Sequence, residues 1–263
     1  MPGEEGAGDE IAALFTVDGL PRSAGYEPRW AIENSMGPSV LWLTEYLCQA
    51  MDLRPGMRVL DMGCGRAISS IFLAREFGAQ VWATDLWVAA AENQARIEAA
   101  GMSDRVFPIH AEAHALPFAD AFFDAAVSMD AYHYFGTDDL YLGYYGRFIK
   151  PGGELGIAVP GVREEIGRHV PEHLLPFWHW DFCSFHSPEW WRAHWEKTGL
   201  VDGTTAGWMP DGWKLWLRRE ELAAHLGTRT SPEEAAMLRE DAGRSLGFTR
   251  LVGRKRETPR YPD

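Results

Sequence analysis

The sequence contains few cysteines and lacks any long apolar run. Three cysteines occur in 263 residues, at positions 48, 64 and 183, and they have no zinc-binding spacing. This usage predicts a reducing, cytoplasmic compartment. No apolar stretch approaches the roughly 18 residues that a membrane span requires. The N-terminal residues also lack the basic region and apolar core of a signal peptide.

Positive charge is also scarce, since 25 Lys and Arg residues face 38 Asp and Glu residues, for a net charge of -13. Proteins that bind nucleic acids in general need a basic surface. The composition therefore argues against a nucleic-acid partner, although a small anionic substrate could still bind at a local basic site.

The histidines do not form a convincing metal-binding pattern. His110 and His114 are four residues apart, as are His169 and His173, but Pro171 disfavours a helix between the second pair. Metal sites need three or four converging ligands. We therefore expect no metal cofactor.

The stretch from Met57 to Phe77 is the most informative part of the chain. An apolar run ends at Asp61, Gly63 and Gly65 follow, and apolar residues then recur at helical spacing. This pattern predicts a strand, a tight turn and a helix. Ligands of open parallel sheets bind beyond the carboxyl ends of the strands, and glycine lets the backbone approach a ligand closely.

The residues around this turn indicate which ligand would bind. A dinucleotide-binding turn would have a third glycine where Ile68 stands. Asp61 would oppose a pyrophosphate but suits a cationic ligand. Asp85 ends the next apolar run, where an acid commonly accepts hydrogen bonds from ribose. These features favour an adenosyl ligand that carries an amino acid in place of phosphates.

Five motifs, spread over roughly half of the chain, resemble those of the class I S-adenosylmethionine-dependent methyltransferases and occur in the same order. They are residues 59–65, 83–86, 111–118, 122–128 and 148–153. The chain departs from the family pattern at Ala67, where many members have a third glycine, and at Glu112, where many have Asp. Neither departure removes a group that the site needs.

Strand and helix patterns alternate through the first part of the chain, which predicts an α/β fold. We expect a doubly wound, seven-stranded, mostly parallel sheet with helices on both faces. The resemblance implies that the last strand is antiparallel. The expected segments are an N-terminal lid and helices (1–52), a cofactor-binding core (53–160), an inserted aromatic-rich cap and helix (161–200), and C-terminal strands and helices that complete the sheet (201–263).

The resemblance implies S-adenosylmethionine as the cofactor and assigns its binding residues motif by motif. The first motif would border the methionine part, Asp85 would bind the ribose, and the residues after the third strand would border the adenine. The expected cofactor-binding residues are Asp61, Gly63, Gly65, Ala67, Asp85, Leu86, Glu112, Ala113 and Met129.

The loop after the fourth strand is the expected reacting centre. His133 is a candidate general base because imidazole titrates near neutral pH. Asp130 and Tyr132 are the other catalytic candidates. The aromatic residues of the cap suit either a substrate pocket or a small core of their own. The expected substrate-pocket residues are Tyr26, Trp30, Tyr134, Trp178 and Trp180.

The sequence therefore predicts an S-adenosylmethionine-dependent methyltransferase that acts on nitrogen or oxygen of a small molecule, with carbon also possible. A non-catalytic S-adenosylmethionine-binding sensor or partner protein is the alternative, since it would keep the same cofactor residues without an open acceptor pocket. An NAD-dependent oxidoreductase is a further alternative, against which Ile68 and Asp61 argue. The oligomeric state is not determined by the sequence.

Overall fold

A computed structural model describes residues 2–260, so Met1 and residues 261–263 of the predicted C-terminal segment lie outside it. A seven-stranded sheet with the order β3-β2-β1-β4-β5-β7-β6 forms its centre. The strands are β1 (Arg58–Met62), β2 (Gln80–Asp85), β3 (Val106–His110), β4 (Phe123–Met129), β5 (Ile149–Val162), β6 (Val201–Trp208) and β7 (Leu246–Lys255).

Helices cover both faces of the sheet. They are α1 (Pro2–Phe15), α2 (Pro28–Asn34), α3 (Val40–Cys48), α4 (Ile68–Phe77), α5 (Ala90–Ala99), α6 (Tyr141–Gly146), α7 (Pro188–Glu196), α8 (Gly212–His225) and α9 (Pro232–Asp241). Short 3-10 helices occupy Ser23–Gly25, Tyr132–Tyr134, Glu172–Phe177 and Trp180–Ser184. Within the described residues, no helix combines the length and the apolar character needed to cross a bilayer.

The strand directions confirm the predicted fold class. β1 pairs in parallel with β2 on one side and β4 on the other, whereas β7 is antiparallel to both β5 and β6. Because β1 has a neighbour from each half of the sheet, the chain reverses its winding direction there. A crevice opens at the carboxyl ends of strands at such a point.

Alternation along the strands divides the core into two layers. Val59 packs with α3 and α4 on one face, while the next residue, Leu60, packs with α6 and α7 on the other. Both side chains are fully buried. Burying one such side chain stabilises the fold by about 1.5–3 kcal/mol, so each strand anchors helices on both faces and holds its carboxyl end in place.

The region after β5 begins with the two 3-10 helices of the cap and continues into α7. Ser187 caps α7 by accepting a hydrogen bond from the Trp190 N–H at 3.1 Å, with Pro188 in the first turn. Serine before the first turn and proline within it are typical of the start of a helix. Trp191 and Trp195 of α7 are fully buried against the sheet, so this helix belongs to the core and the 3-10 helices alone form the cap.

Candidate active site

The glycine turn after β1 is fixed between the ends of β2 and β4. Gly63 and Gly65 have φ angles of +72° and +53°, which glycine adopts without steric cost. A Cβ atom built on Gly63 would lie 2.4 Å from the Cβ of Ala131. The Gly63 N–H donates a hydrogen bond to the Thr84 carbonyl oxygen at 2.8 Å. The turn therefore packs directly on the loop after β4.

Asp85, the last residue of β2, is held by three backbone N–H groups. Its Oδ2 accepts a hydrogen bond from Gly65 at 2.8 Å, and its Oδ1 accepts from Trp87 at 2.7 Å and Val88 at 2.9 Å. The residue is 6% exposed and lines a cavity. A carboxylate can accept about four hydrogen bonds, so capacity remains for a ligand hydroxyl. The position of Asp85 supports the prediction that its carboxylate binds the ribose.

Asp61 lies beneath the turn and does not line the cavity, contrary to expectation. Its Oδ2 accepts hydrogen bonds from the hydroxyl groups of Ser69 and Ser70, each at 2.6 Å, and its Oδ1 has no partner among the described residues. Burial raises the pKa of Asp61 to about 6. The carboxylate thus holds the first turn of α4. Ala67 is also buried outside the lining, with φ +61° just before α4, and shapes the same turn.

A cavity of about 1200 Å³ extends from the glycine turn to the cap. Pockets for one small ligand usually measure roughly 300–1,000 Å³, so this volume accommodates two ligands side by side. The walls come from the ends of β1, β2 and β4, the 3-10 helices of the cap, α8 and the start of α9. Residues 33–38 also line the cavity, and we call them the roof segment.

The residues that follow β2 and β3 form one end of the cavity. Leu86 and Trp87 are largely exposed, Trp87 by 71%. Glu112 and Ala113 line the same space. Glu112 accepts a hydrogen bond from the His114 N–H at 2.7 Å and contacts the His114 Nδ1 at 2.9 Å, which lowers the pKa of Glu112. These positions suit the predicted contacts with adenine.

The loop after β4 places a second carboxylate in the cavity. Met129 ends β4, and Asp130 follows it with φ +54°. The Asp130 carboxylate lies against Gly37, since a Cβ built on Gly37 would be 1.3 Å from the Asp130 Oδ2. Burial and the nearby Glu234 carboxylate raise the pKa of Asp130 well above its ordinary value. A raised pKa makes the ionised carboxylate a stronger proton acceptor.

His133 lines the cavity although it is only 2% exposed. The centre of its ring lies 4.1 Å from that of Tyr134 and 5.6 Å from that of Phe185. Its Nδ1 has no hydrogen-bond partner among the described residues. Burial lowers the pKa of His133 to about 3. The ring is therefore neutral at physiological pH, with one nitrogen as donor and the other as acceptor.

Tyr132, the third catalytic candidate, is fully buried in the aromatic core and does not line the cavity. The centre of its ring lies 5.6 Å from that of Trp191 and 5.7 Å from that of Tyr141. Successive residues of a 3-10 helix face different directions, so His133 meets the cavity while Tyr132 meets the core. The predicted catalytic role of Tyr132 is not supported by this position.

The predicted substrate-pocket residues divide into two groups. Tyr134 and Trp178 line the cavity. Trp180 is 77% exposed and lies outside the lining. Tyr26 and Trp30 also lie outside it and stack on each other with ring centres 5.8 Å apart. These three expectations are corrected, because Trp180 faces solvent and the two N-terminal aromatics pack against the core.

Other cavity residues were not found from the sequence. They are Met36, Gly37, Phe177, Phe182, Phe185, Trp216, Arg219, Glu234 and Met237. Four of them lie in α8 and α9, whose patterns indicate only helices. The aromatic richness of residues 171–187 was the one available signal, and it pointed to the cap without separating its inner face from its outer face.

Replacing Trp178 by alanine is expected to raise the KM for the acceptor about fivefold, because an aromatic contact contributes about 1 kcal/mol and 1.4 kcal/mol corresponds to a tenfold change. The affinity for the methyl donor should not change. Trp180→Ala is the matched control and should leave both constants unchanged. Steady-state kinetics provides the measurement, and equal effects of the two substitutions would contradict the position of Trp178 on the cavity wall.

Comparison with known proteins agrees with this geometry. Residues 59–153 match the family described as a methyltransferase domain. The chain is 32% identical to Methyltransferase GfsG of Streptomyces halstedii over 63% of this chain and 60% of that protein. It is 31% identical to 2-methyl-6-phytyl-1,4-hydroquinone methyltransferase of Synechocystis over 63% of this chain and 54% of that protein. The chain thus covers 60% or less of the length of these relatives.

The fold is also similar to that of a solved structure, Haemonchus contortus phosphoethanolamine N-methyltransferase 2 in complex with S-adenosyl-L-methionine. The TM-score is 0.71 at 21% identity, over 88% of this chain and 57% of that one. Residues 59–153 are a methyltransferase domain, and the fold is that of the class I S-adenosylmethionine-dependent methyltransferases. The family match covers the glycine turn and Asp85, and the methyltransferase domain continues through the loop that carries Asp130 and His133.

The residues of the methyltransferase domain fit its cofactor. Eight Asp or Glu residues and three Arg residues line the cavity, a balance that favours a positively charged sulfonium. Asp85 retains acceptor capacity, and Gly63 and Gly65 keep side chains out of the turn. Among residues 8–260, no group of three or more His, Cys, Asp or Glu side chains is placed to hold a metal ion.

Proposed function

We propose that this chain transfers the methyl group of S-adenosylmethionine to a nitrogen or oxygen atom of a small molecule. The observation that carries this proposal is the continuous cavity of about 1200 Å³, which joins the glycine turn to His133 and Trp178. A donor and an acceptor can therefore share one continuous cavity. Alignment of two reactants can lower the barrier by about 7–11 kcal/mol, so positioning supplies a large share of the catalysis.

When bound, S-adenosylmethionine supplies an electrophilic methyl group on a positively charged sulfur. Asp85 would accept hydrogen bonds from its ribose, while Glu112 and Ala113 would border its adenine. Met129 and Asp130 would lie where donor and acceptor meet. The aromatic cap would exclude water from this junction, which strengthens electrostatic interactions inside it.

The extent of the cavity favours an enzyme over the alternative of a non-catalytic sensor. A sensor would need the glycine turn and Asp85 but no space beyond the methyl group. Here the cavity continues past His133 to Trp178 of the cap and Trp216 of α8. The family match leaves the NAD-dependent oxidoreductase without support.

The charge of the cavity also supports a small-molecule acceptor. Eight carboxylates against three guanidinium groups oppose a long polyanion such as a nucleic acid. Cys48, Cys64 and Cys183 are all free thiols, which agrees with the proposed cytoplasmic location.

Incubation with methyl-labelled S-adenosylmethionine and a metabolite extract tests the proposal. The expected result is a labelled small molecule, whose identification also reveals the acceptor atom. Titration calorimetry with S-adenosylmethionine and with NAD should show binding of the first only. Binding of the donor with no labelled product in any extract fraction would favour the sensor, and binding of NAD would favour the oxidoreductase.

Replacing His133 by alanine is expected to lower turnover about tenfold while the affinity for the donor stays unchanged, since one lost polar contact costs about 1–1.5 kcal/mol. Because burial lowers the pKa of His133 to about 3, its ring stays neutral throughout pH 5–9. The pH profiles of kcat for the variant and the unaltered protein should therefore have the same shape over that range. A limb of the profile that disappears in His133→Ala would instead identify His133 as a titrating base.

A further inference from the structure

The acceptor end of the cavity has an excess of negative charge. Asp130, Asp181 and Glu234 line it. Arg219 lines it too, but its Nη1 is bound to Glu220 Oε1 at 2.7 Å. That ion pair offsets the charge of Arg219, and Arg229 is the other guanidinium group among the lining residues that follow the cap. An acceptor in this space therefore meets more carboxylate charge than positive charge.

Asp130 is the carboxylate among these that lacks a partner. Glu234 Oε2 accepts a hydrogen bond from the Trp216 Nε1 at 2.9 Å, and Asp181 Oδ1 contacts the His179 Nδ1 at 2.7 Å. Among the described residues, no side chain or backbone donor binds the Asp130 carboxylate in this way. The Asp130 carboxylate is partly exposed and lines the cavity, so a ligand that brings its own N–H groups can bind it.

His133 gives a second, independent indication of a ligand. Its side chain lines the same space, is 98% buried and leaves Nδ1 without a partner. Burial lowers the pKa of His133, so the ring adds no positive charge. A cation beside Asp130 therefore meets no repulsion from this residue, and its Nδ1 has no hydrogen-bond partner among the described residues.

Aromatic rings complete the surroundings of these groups. Phe182 and Phe185 are stacked with ring centres 4.9 Å apart, and Trp178 meets Phe182 at 5.4 Å. Trp216 meets Phe185 at 6.4 Å. The faces of aromatic rings are negative and attract cations, by about 0.5–2 kcal/mol for each contact. Aromatic walls beside a free carboxylate are the surroundings that an ammonium group prefers.

We propose that the acceptor is an amine that enters as its ammonium form, and that Asp130 binds this group and removes its proton. This inference rests on the proposed methyltransferase function and narrows its acceptor to nitrogen. Asp130 takes one proton from the ammonium group, and the freed lone pair of nitrogen forms the new N–C bond. The electron pair of the broken C–S bond remains on sulfur. Asp130 then releases its proton to water, and the methylated amine leaves the site.

The test uses the full chain saturated with S-adenosylhomocysteine and three sets of matched probes. The probes are benzylamine, phenethylamine and tryptamine, together with the alcohol and the carboxylate that correspond to each. Calorimetry should show at least one amine binding tenfold or more tightly than its alcohol, and no carboxylate should bind. Equal affinity within every set, including no measurable binding of any probe, would overturn the inference.

Asp130→Asn should abolish the preference for the amine, because asparagine keeps the shape and tolerates a positive φ but removes the charge. The control Asp104→Asn changes an exposed carboxylate outside the cavity and should keep the full preference. If Asp130→Asn keeps it as well, Asp130 does not bind the ammonium group. With labelled donor, Asp130→Asn should also lower kcat at saturating amine.

Gly37→Ala tests the same carboxylate without changing any charge. The new Cβ would lie 1.3 Å from Asp130 Oδ2, so the carboxylate must move. The preference for the amine should fall at least tenfold, and an unchanged preference would contradict the role of Asp130. Binding of S-adenosylhomocysteine is measured separately in every variant. Failure of the unaltered protein to bind it would refute the proposed function, whereas binding without amine preference would refute this inference alone.

Discussion

Asp85→Ala is expected to weaken the binding of S-adenosylmethionine about 100-fold. Two hydrogen bonds from ribose to a carboxylate would be lost, and their combined contribution of about 3 kcal/mol corresponds to two factors of ten. The substitution also releases the N–H groups of Gly65, Trp87 and Val88, which the carboxylate binds. The substitution is therefore expected to disturb the shape of the glycine turn and, with it, the donor site. Titration calorimetry measures the effect directly.

Two further variants separate these contributions. Asp85→Asn keeps one oxygen as an acceptor and should lose about tenfold, since a neutral hydrogen bond is roughly half as strong as a charged one. Asp104→Ala removes an exposed carboxylate outside the cavity and should leave the affinity unchanged. An Asp85→Ala protein that folds and binds the donor normally would reject the ribose assignment.

Gly63→Ala is expected to destabilise the protein and to abolish measurable donor binding. The φ angle of +72° costs about 1–2 kcal/mol for a residue with a Cβ. The new Cβ would also lie 2.4 Å from that of Ala131, and such overpacking costs about 1–3 kcal/mol more. Because each kcal/mol lowers the Tm of a chain of this size by about 2–4 °C, thermal unfolding should show a decrease of several degrees.

Matched substitutions distinguish the cost of the positive φ angle from the cost of the overlap with Ala131. Gly101 has φ +70° but no atom within 4 Å of a built Cβ, so Gly101→Ala should show the backbone cost alone and normal donor binding. Adding Ala131→Gly to Gly63→Ala removes the overlap and should recover part of the Tm. A Gly63→Ala protein as stable as the Gly101→Ala protein would show that the packing between the turn and the loop after β4 is loose.

The sequence predicts the sheet and the donor end of the cavity because their signals are local. The apolar run that ends at Asp61 predicts a strand, and the position of Asp85 follows from the end of the next apolar run. The glycines mark a turn whose backbone angles few other residues adopt. Each of these features depends on neighbours within a few residues.

The acceptor end could not be predicted in the same way. Trp216 and Glu234 reach it from α8 and α9, and Gly37 from the roof segment. Only tertiary packing brings these distant segments together. The motif also indicates an acid at the strand end but not which way the Asp61 side chain faces. Its hydrogen bonds to the hydroxyls of α4 decide that direction.

The roof segment meets both halves of the cavity. The Met36 Sδ would lie 3.1 Å from a Cβ built on Gly65, and Gly37 lies against Asp130. A ligand at the glycine turn and a ligand beside Asp130 would both lie next to the roof segment, so a movement of this segment that admits one ligand would also change the site of the other. We therefore expect substitutions in these six residues to affect the binding of both compounds.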